Sequence, residues 1–144
     1  VIEITEGIIM GNASELVSRL EEIKRVGVGL SVDDFGTGYS SLSYLTRFPL
    51  SELKIDRCFI SNVDKSPDNA SIVGAIISMG ESLGLSLVAE GAETLEECVF
   101  LKQHGIQVVQ GYFFSKPLDI LEFEACFGLT FLKTWNRGLT FQIT

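Results

Sequence analysis

Apolar residues recur along this chain in short runs separated by longer stretches of helical spacing. Val1-Ile2-Glu3-Ile4 reads as a strand, and a helix is expected from about Asn12 to Val26. There Asn12 and Glu15 have capping-box spacing, and Leu16, Leu20 and Ile23 form an apolar stripe. A second strand is expected within Gly27 to Val32, a short helix over Ser41 to Thr46, and a third strand at Leu53-Lys54-Ile55. Pro67 suits the first turn of a long helix whose buried face is expected to hold Ile72, Val73, Ile76, Ile77 and Leu83. Leu85 to Ala89 is the fourth strand. Thr94 and Glu97 form a second capping box, Gly105 stops that helix, and Ile106 to Val109 is the fifth strand. Strands alternating with helices predict βα units on a parallel sheet.

Composition narrows the class. The 144 residues are one domain's worth of chain, and a 46% hydrophobic content makes it globular. A mean hydropathy of +0.30 agrees. No apolar run reaches the length of a membrane span, and no signal peptide opens the chain, so no membrane segment is expected. The three cysteines, Cys58, Cys98 and Cys126, form neither a CxxC pair nor a disulfide framework, which points to a reducing cytoplasm. A net charge of −8 argues against DNA as a partner, and an anionic ligand would need metal ions to mediate its contact.

The candidate chemistry starts at Asp33-Asp34, which follows Val28 to Val32 and precedes the glycine-rich Phe35-Gly36-Thr37-Gly38. Adjacent strand side chains face opposite ways, so the two carboxylates can converge only where the backbone turns. Hard divalent cations take such oxygen ligands, and paired metals clamp both oxygens of a displacement. An isolated Asp-Asp is more often a polar turn capping the next helix. The other strands change that weighing. Glu3 lies in or near the end of the first, Lys54 on the third, Glu90 at the end of the fourth and Gln110 at the end of the fifth. Each alone has an ordinary explanation: an edge carboxylate, a snorkelling lysine, a helix-capping acid, a loop amide. Together, one per βα unit, they describe the C-terminal rim of a (β/α) barrel. The fold expected is therefore α/β, a partial (β/α)8 TIM-type barrel of about five parallel strands alternating with helices.

These residues sit in recognisable segments: Ile2-Glu3-Ile4-Thr5-Glu6, Asp33 to Leu42, Leu53-Lys54-Ile55-Asp56, Val88 to Thr94, and Gln110 to Leu118. In them the chain resembles the EAL-domain family of cyclic di-GMP phosphodiesterases, over roughly Val1 to Phe127, with Ala92 where the family commonly has valine. The resemblance implies a metal-dependent hydrolysis of cyclic di-GMP to linear pGpG with Mg²⁺ or Mn²⁺ as cofactor. It implies Glu3, Asp33, Asp34 and Glu90 as metal ligands, with Asp33 bridging and Asp34 serving the second metal. Lys54 would position or deprotonate the attacking water, and Gln110 would orient water or ligand, making Lys54, Glu90 and Gln110 the catalytic set. Glu6 would hold the loop from Asp34 to Ser41, and Glu93 would support the metal shell.

The Glu-Ala-Leu motif that names the family does not occur; the one Glu-Ala pair, Glu124-Ala125, continues as Cys126-Phe127. The family's upstream asparagine ligand is absent too. A whole barrel takes about 250 residues, so this is expected to be the C-terminal part of an EAL domain, inactive as an isolated chain, with about three strands missing. A catalytically degenerate binding or protein-interaction module is the alternative; an unrelated metal-dependent barrel enzyme is remote. Residues 128–144 form a separate tail with a possible β-hairpin around Asn136-Arg137-Gly138. Open sheet edges, together with an inner face expected to hold Ile4, Leu30, Val32, Ile55 and Val88, predict a homodimer.

Overall fold

A computed structural model of the chain describes residues 1–5, 13–36 and 45–124. Five parallel strands lie in sequence order: β1 (Ile2–Thr5), β2 (Leu30–Phe35), β3 (Glu52–Ile55), β4 (Ser86–Ala89) and β5 (Val108–Val109). Helix α1 (Ala13–Arg25) links β1 to β2, α2 (Arg57–Ile60) and α3 (Pro67–Leu83) link β3 to β4, and α4 (Leu95–Gln103) links β4 to β5. Neighbouring order with parallel pairing throughout is the arrangement of consecutive βα units in a barrel wall.

The helix signals lie where the chemistry of the ends puts them. Ser66 caps α3, accepting from the Asn69 amide at 3.2 Å, with Pro67 in the first turn and left-handed Gly84 after the last. Thr94 and Glu97 form the capping box of α4. The buried stripe of α3 runs Val73, Ile76, Ile77 and Gly80, so Ile72, expected inside, is exposed. Position 72 stands one helical step off that stripe, and the Leu87 side chain fills the space over Gly80 instead. The short α2, capped by Asp56, has no apolar period long enough to read from sequence. The fifth strand is shorter than its apolar run, because Ile106 closes the end of α4 through its amide to Leu101. The Asn12–Glu15 box, nearly all of the Ser41–Thr46 helix and the 128–144 tail lie outside the described residues.

The second strand departs from expectation most usefully. It does not stop at Val32 but runs on to Phe35. Val32 pairs with Leu53 and Phe35 with Ile55, so the two residues Asp33 and Asp34 stand opposite the single residue Lys54. That is a β-bulge, and its extra residue is taken up by Asp34 at φ 56°. Aspartate tolerates this left-handed conformation better than most residues. The bulge keeps Val32 and Phe35 both in the core, although an odd spacing would otherwise send them to opposite faces.

Register also corrects the expected inner face. Ile4, Leu30, Val32 and Ile55 lie on the face covered by the helices, packed with Leu20, Ile60, Val73, Ile77, Cys98 and Leu101. The opposite face carries Glu3, Ser31, Glu52, Lys54, Ser86 and, of the five apolar residues expected there, only Val88. The helices cover the first of these faces, and its large apolar residues are buried against them.

Candidate functional site

The polar face ends in one cluster. Lys54, mid-sheet on β3, is buried, and its Nζ lies 2.6 Å from Glu90 Oε1, 2.9 Å from Glu3 Oε1 and 3.3 Å from Asp33 Oδ1. Three strands thus deliver carboxylates to one ammonium. Glu3 comes from β1, Asp33 from the bulge of β2, and Glu90 from the residue after β4, whose amide donates to Ile55 at 3.0 Å. Burial alone would lower the lysine's pKa. The hydrogen bonds to Glu90 and Glu3 and the charges of Glu90 and Asp33 outweigh it and hold the group above the ordinary lysine range. Burial, followed by the nearby Asp33 charge, pushes Glu90 upward against the pull of the ammonium. Lys54 is therefore a fixed cation in this arrangement.

The expected residues are distributed as follows. Glu3, Asp33, Lys54 and Glu90 are brought together. Asp34 lies beside them on the bulge, exposed, its amide donating to Asp33 Oδ1 at 3.0 Å. Gln110 enters through its backbone: its amide donates to Ala89 at 2.8 Å and its carbonyl accepts from Ala92 at 3.2 Å, with the side chain at the exposed rim. Glu93 pairs with Arg57 at 2.7 Å, at the surface. Glu6 lies outside the described residues. The ordinary explanations for two residues fail: Lys54 does not snorkel, and α4 is capped by Thr94, not by Glu90.

Arg57 and Glu97 were not singled out as site residues by sequence reasoning. The Arg57 stem packs under Gly91, a left-handed glycine at φ 74° next to Glu90, where a Cβ would collide with it. Glu97 uses one oxygen for its helix cap and the other for the Asn62 amide at 2.8 Å. The capping box was legible, but the long-range partner of its second oxygen was not.

The donor set suits a hard divalent cation. Four carboxylates, Glu3, Asp33, Asp34 and Glu90, against the one ammonium leave a formal excess of three negative charges at the rim. Among the described residues, no three His, Cys, Asp or Glu side chains are close enough to one another to make a ready cage by themselves. The three carboxylates nearest Lys54 are instead grouped around its ammonium.

Comparison with known proteins places this geometry. The EAL domain family model matches residues 1–117, which includes every residue of the cluster. The chain belongs to the EAL-domain family. It is 46% identical over 123 residues to the cyclic di-GMP phosphodiesterase NbdA of Pseudomonas aeruginosa, covering 85% of the chain and 16% of that protein. Among solved structures it superposes on the PaMucR phosphodiesterase in its c-di-GMP complex with a TM-score of 0.78 at 46% identity, covering 83% of the chain and 49% of the other. It also matches Klebsiella pneumoniae BlrP1 in a manganese/cy-diGMP complex, with a TM-score of 0.74 at 39% identity, covering 81% of the chain and 30% of the other. The chain thus spans about a sixth of NbdA and about half of the PaMucR structure. The five-stranded sheet is a part of the TIM-barrel-like wall of this EAL domain, and no helix among the described residues is long and apolar enough to cross a membrane.

Proposed function

We propose that this chain carries the carboxylate-and-lysine portion of a cyclic di-GMP phosphodiesterase site. The observation that carries the reading is the convergence of Glu3, Asp33 and Glu90 on Lys54 at 2.6–3.3 Å, at the strand ends where barrel enzymes place their chemistry. Glu3, Asp33, Asp34 and Glu90 would hold Mg²⁺ or Mn²⁺, which when bound activates water and neutralises phosphoryl oxygens. Lys54 fixes Glu90 and Asp33 in place and adds positive charge for the phosphodiester. Gln110 orients the ligand at the rim, and Glu93 supports the metal shell.

The ligand glutamate of Glu-Ala-Leu and the family asparagine are not among these residues. The isolated chain is therefore expected to bind a divalent cation weakly, most strongly at Asp33, and to turn over cyclic di-GMP negligibly. Metal-dependent hydrolysis by the purified chain, compared with Asp33→Asn, tests this. Robust turnover lost in Asp33→Asn would overturn the inactivity of the isolated chain; cation binding unchanged by Asp33→Ala would overturn the metal site. Binding of cyclic di-GMP without metal or turnover would favour the alternative, a degenerate binding module.

A homodimer belongs to the same reading. With the apolar inner face gone, its support is the open edge of β1, which pairs only with β2 among the described residues and exposes Val1 and Ile2. Light scattering on the chain at micromolar concentration decides between dimer and monomer.

A further inference from the structure

We propose that Glu97 is a positioning residue for Glu90, pinning the loop between β4 and α4 to the turn that follows α2. This rests on the reading of Glu90 as a site residue. A helix cap needs only one carboxylate oxygen, and Glu97 Oε2 serves it, accepting from the Glu93 amide at 2.8 Å and the Thr94 amide at 3.0 Å. Oε1 is left over for capping purposes. It accepts from the Asn62 amide at 2.8 Å, 35 residues away along the chain. Glu97 is 5% exposed, so these bonds are shielded from water.

The partner turn is itself fixed. Asn62 sits at φ 57°, and Asn69 at the start of α3 donates its side-chain amide to Ser61 O at 3.0 Å. The turn follows α2, and α2 follows the strand that carries Lys54. The contacts therefore close a ring. It runs from Lys54 through α2 to Asn62, across Glu97 to Glu93, back along the loop to Glu90, and from Glu90 to the Lys54 ammonium at 2.6 Å. The Arg57–Glu93 ion pair at 2.7 Å spans the same gap at the surface, but both side chains are about half exposed and such a pair holds little. Glu97 is the buried strut of the ring. Without it, Glu90 is held to Lys54 by their own contact and by the neighbouring strands, and its loop can drift by the fraction of an ångström that ligand geometry does not tolerate.

Glu97→Gln separates the two jobs, because an amide keeps one acceptor oxygen and presents an NH₂ group to the remaining backbone donors. The helix can keep its cap while the tether is lost. Thr94→Ala is the control: it removes the other half of the capping box and leaves the Glu97 carboxylate in place. The expected result in Glu97→Gln is amide exchange at least about tenfold faster at Asn62, with the capped Glu93 and Thr94 amides still protected. Buried Cys98 should stay protected from thiol reagents, showing α4 still docked. Mn²⁺ affinity should fall several-fold, and Thr94→Ala should alter neither Asn62 exchange nor Mn²⁺ affinity. Unchanged exchange at Asn62 in Glu97→Gln overturns the proposal, as does Thr94→Ala reproducing the whole pattern. If the parent chain binds no Mn²⁺, the metal reading fails, and the exchange comparison still decides the tether.

Discussion

Lys54 Nζ and Glu90 Oε1 stand 2.6 Å apart across the β3–β4 junction, and the same ammonium reaches Glu3 and Asp33. One buried cation thus restrains three carboxylates that would otherwise repel one another. Removing it as Lys54→Met leaves that repulsion uncompensated. Glu3 remains half-exposed and screened, so the cost belongs at or below the low end for a broken buried pair, about 2–3 kcal/mol. Urea unfolding should show this loss, and millimolar Mg²⁺ should recover part of it, since a divalent ion can take over the neutralisation. A variant as stable as the parent in metal-free buffer would refute the charge-restraint view.

The bulge makes a separate prediction about Asp34, whose φ of 56° is accessible to aspartate and asparagine but hostile to β-branched residues. Asp34→Asn should keep the parent's unfolding free energy within about 0.5 kcal/mol while weakening Mn²⁺ binding. Asp34→Val should destabilise by about 1–3 kcal/mol. Equal stability of the two variants in denaturant titration would mean that the left-handed residue is not required.

Gly111 presses directly on the Ala92 backbone, so an added methyl group would meet main chain that cannot rotate away. Gly111→Ala should therefore force apart the loops that carry Gln110 and Glu90, costing about 1–3 kcal/mol as overpacking does. The Ala92–Gln110 and Phe113–Ala92 backbone bonds report it: their amides should lose protection from exchange. Retained protection would show that the loops accommodate the methyl.

The three backbone donors on Glu97 lower its pKa below the usual 4.5 despite burial. A depressed carboxylate contributes stability that is fully present above its unfolded pKa and is lost as pH falls through the folded one. Parent stability minus that of Glu97→Gln should be constant from neutral pH down to about 4.5 and shrink below it. A difference that grows on acidification would have the wrong sign for this assignment.

Cys98 lies fully buried on α4, and burial, aided by the Glu97 charge, pushes its thiol up to about 12. Site-resolved alkylation at neutral pH should leave Cys98 unmodified in the folded chain and modify it only in denaturant. Ready modification of Cys98 under native conditions would mean that α4 is not docked as described.

The order of strands and helices was decided locally. Apolar runs of strand length, the Pro67 start, the Thr94–Glu97 box and the glycine stops each act within a few residues, so they are legible in sequence. That Glu3, Asp33, Lys54 and Glu90 stand near one another was legible too, because polar residues recur along the strands at βα spacing. Which face each strand turns inward was decided by register. A single extra residue at the bulge, invisible in the apolar pattern, places both aspartates opposite Lys54 and keeps Phe35 in the core. Register likewise sent Ile4, Leu30, Val32 and Ile55 to the helices, because only there can they be covered. Long-range partners were likewise beyond local reading. Lys54 titrates upward because three distant carboxylates close around it, and Glu97 becomes a tether because Asn62 arrives from another crossover. Sequence dictates what a residue can bond to within its own turn; the tertiary fold alone decides what stands across the gap.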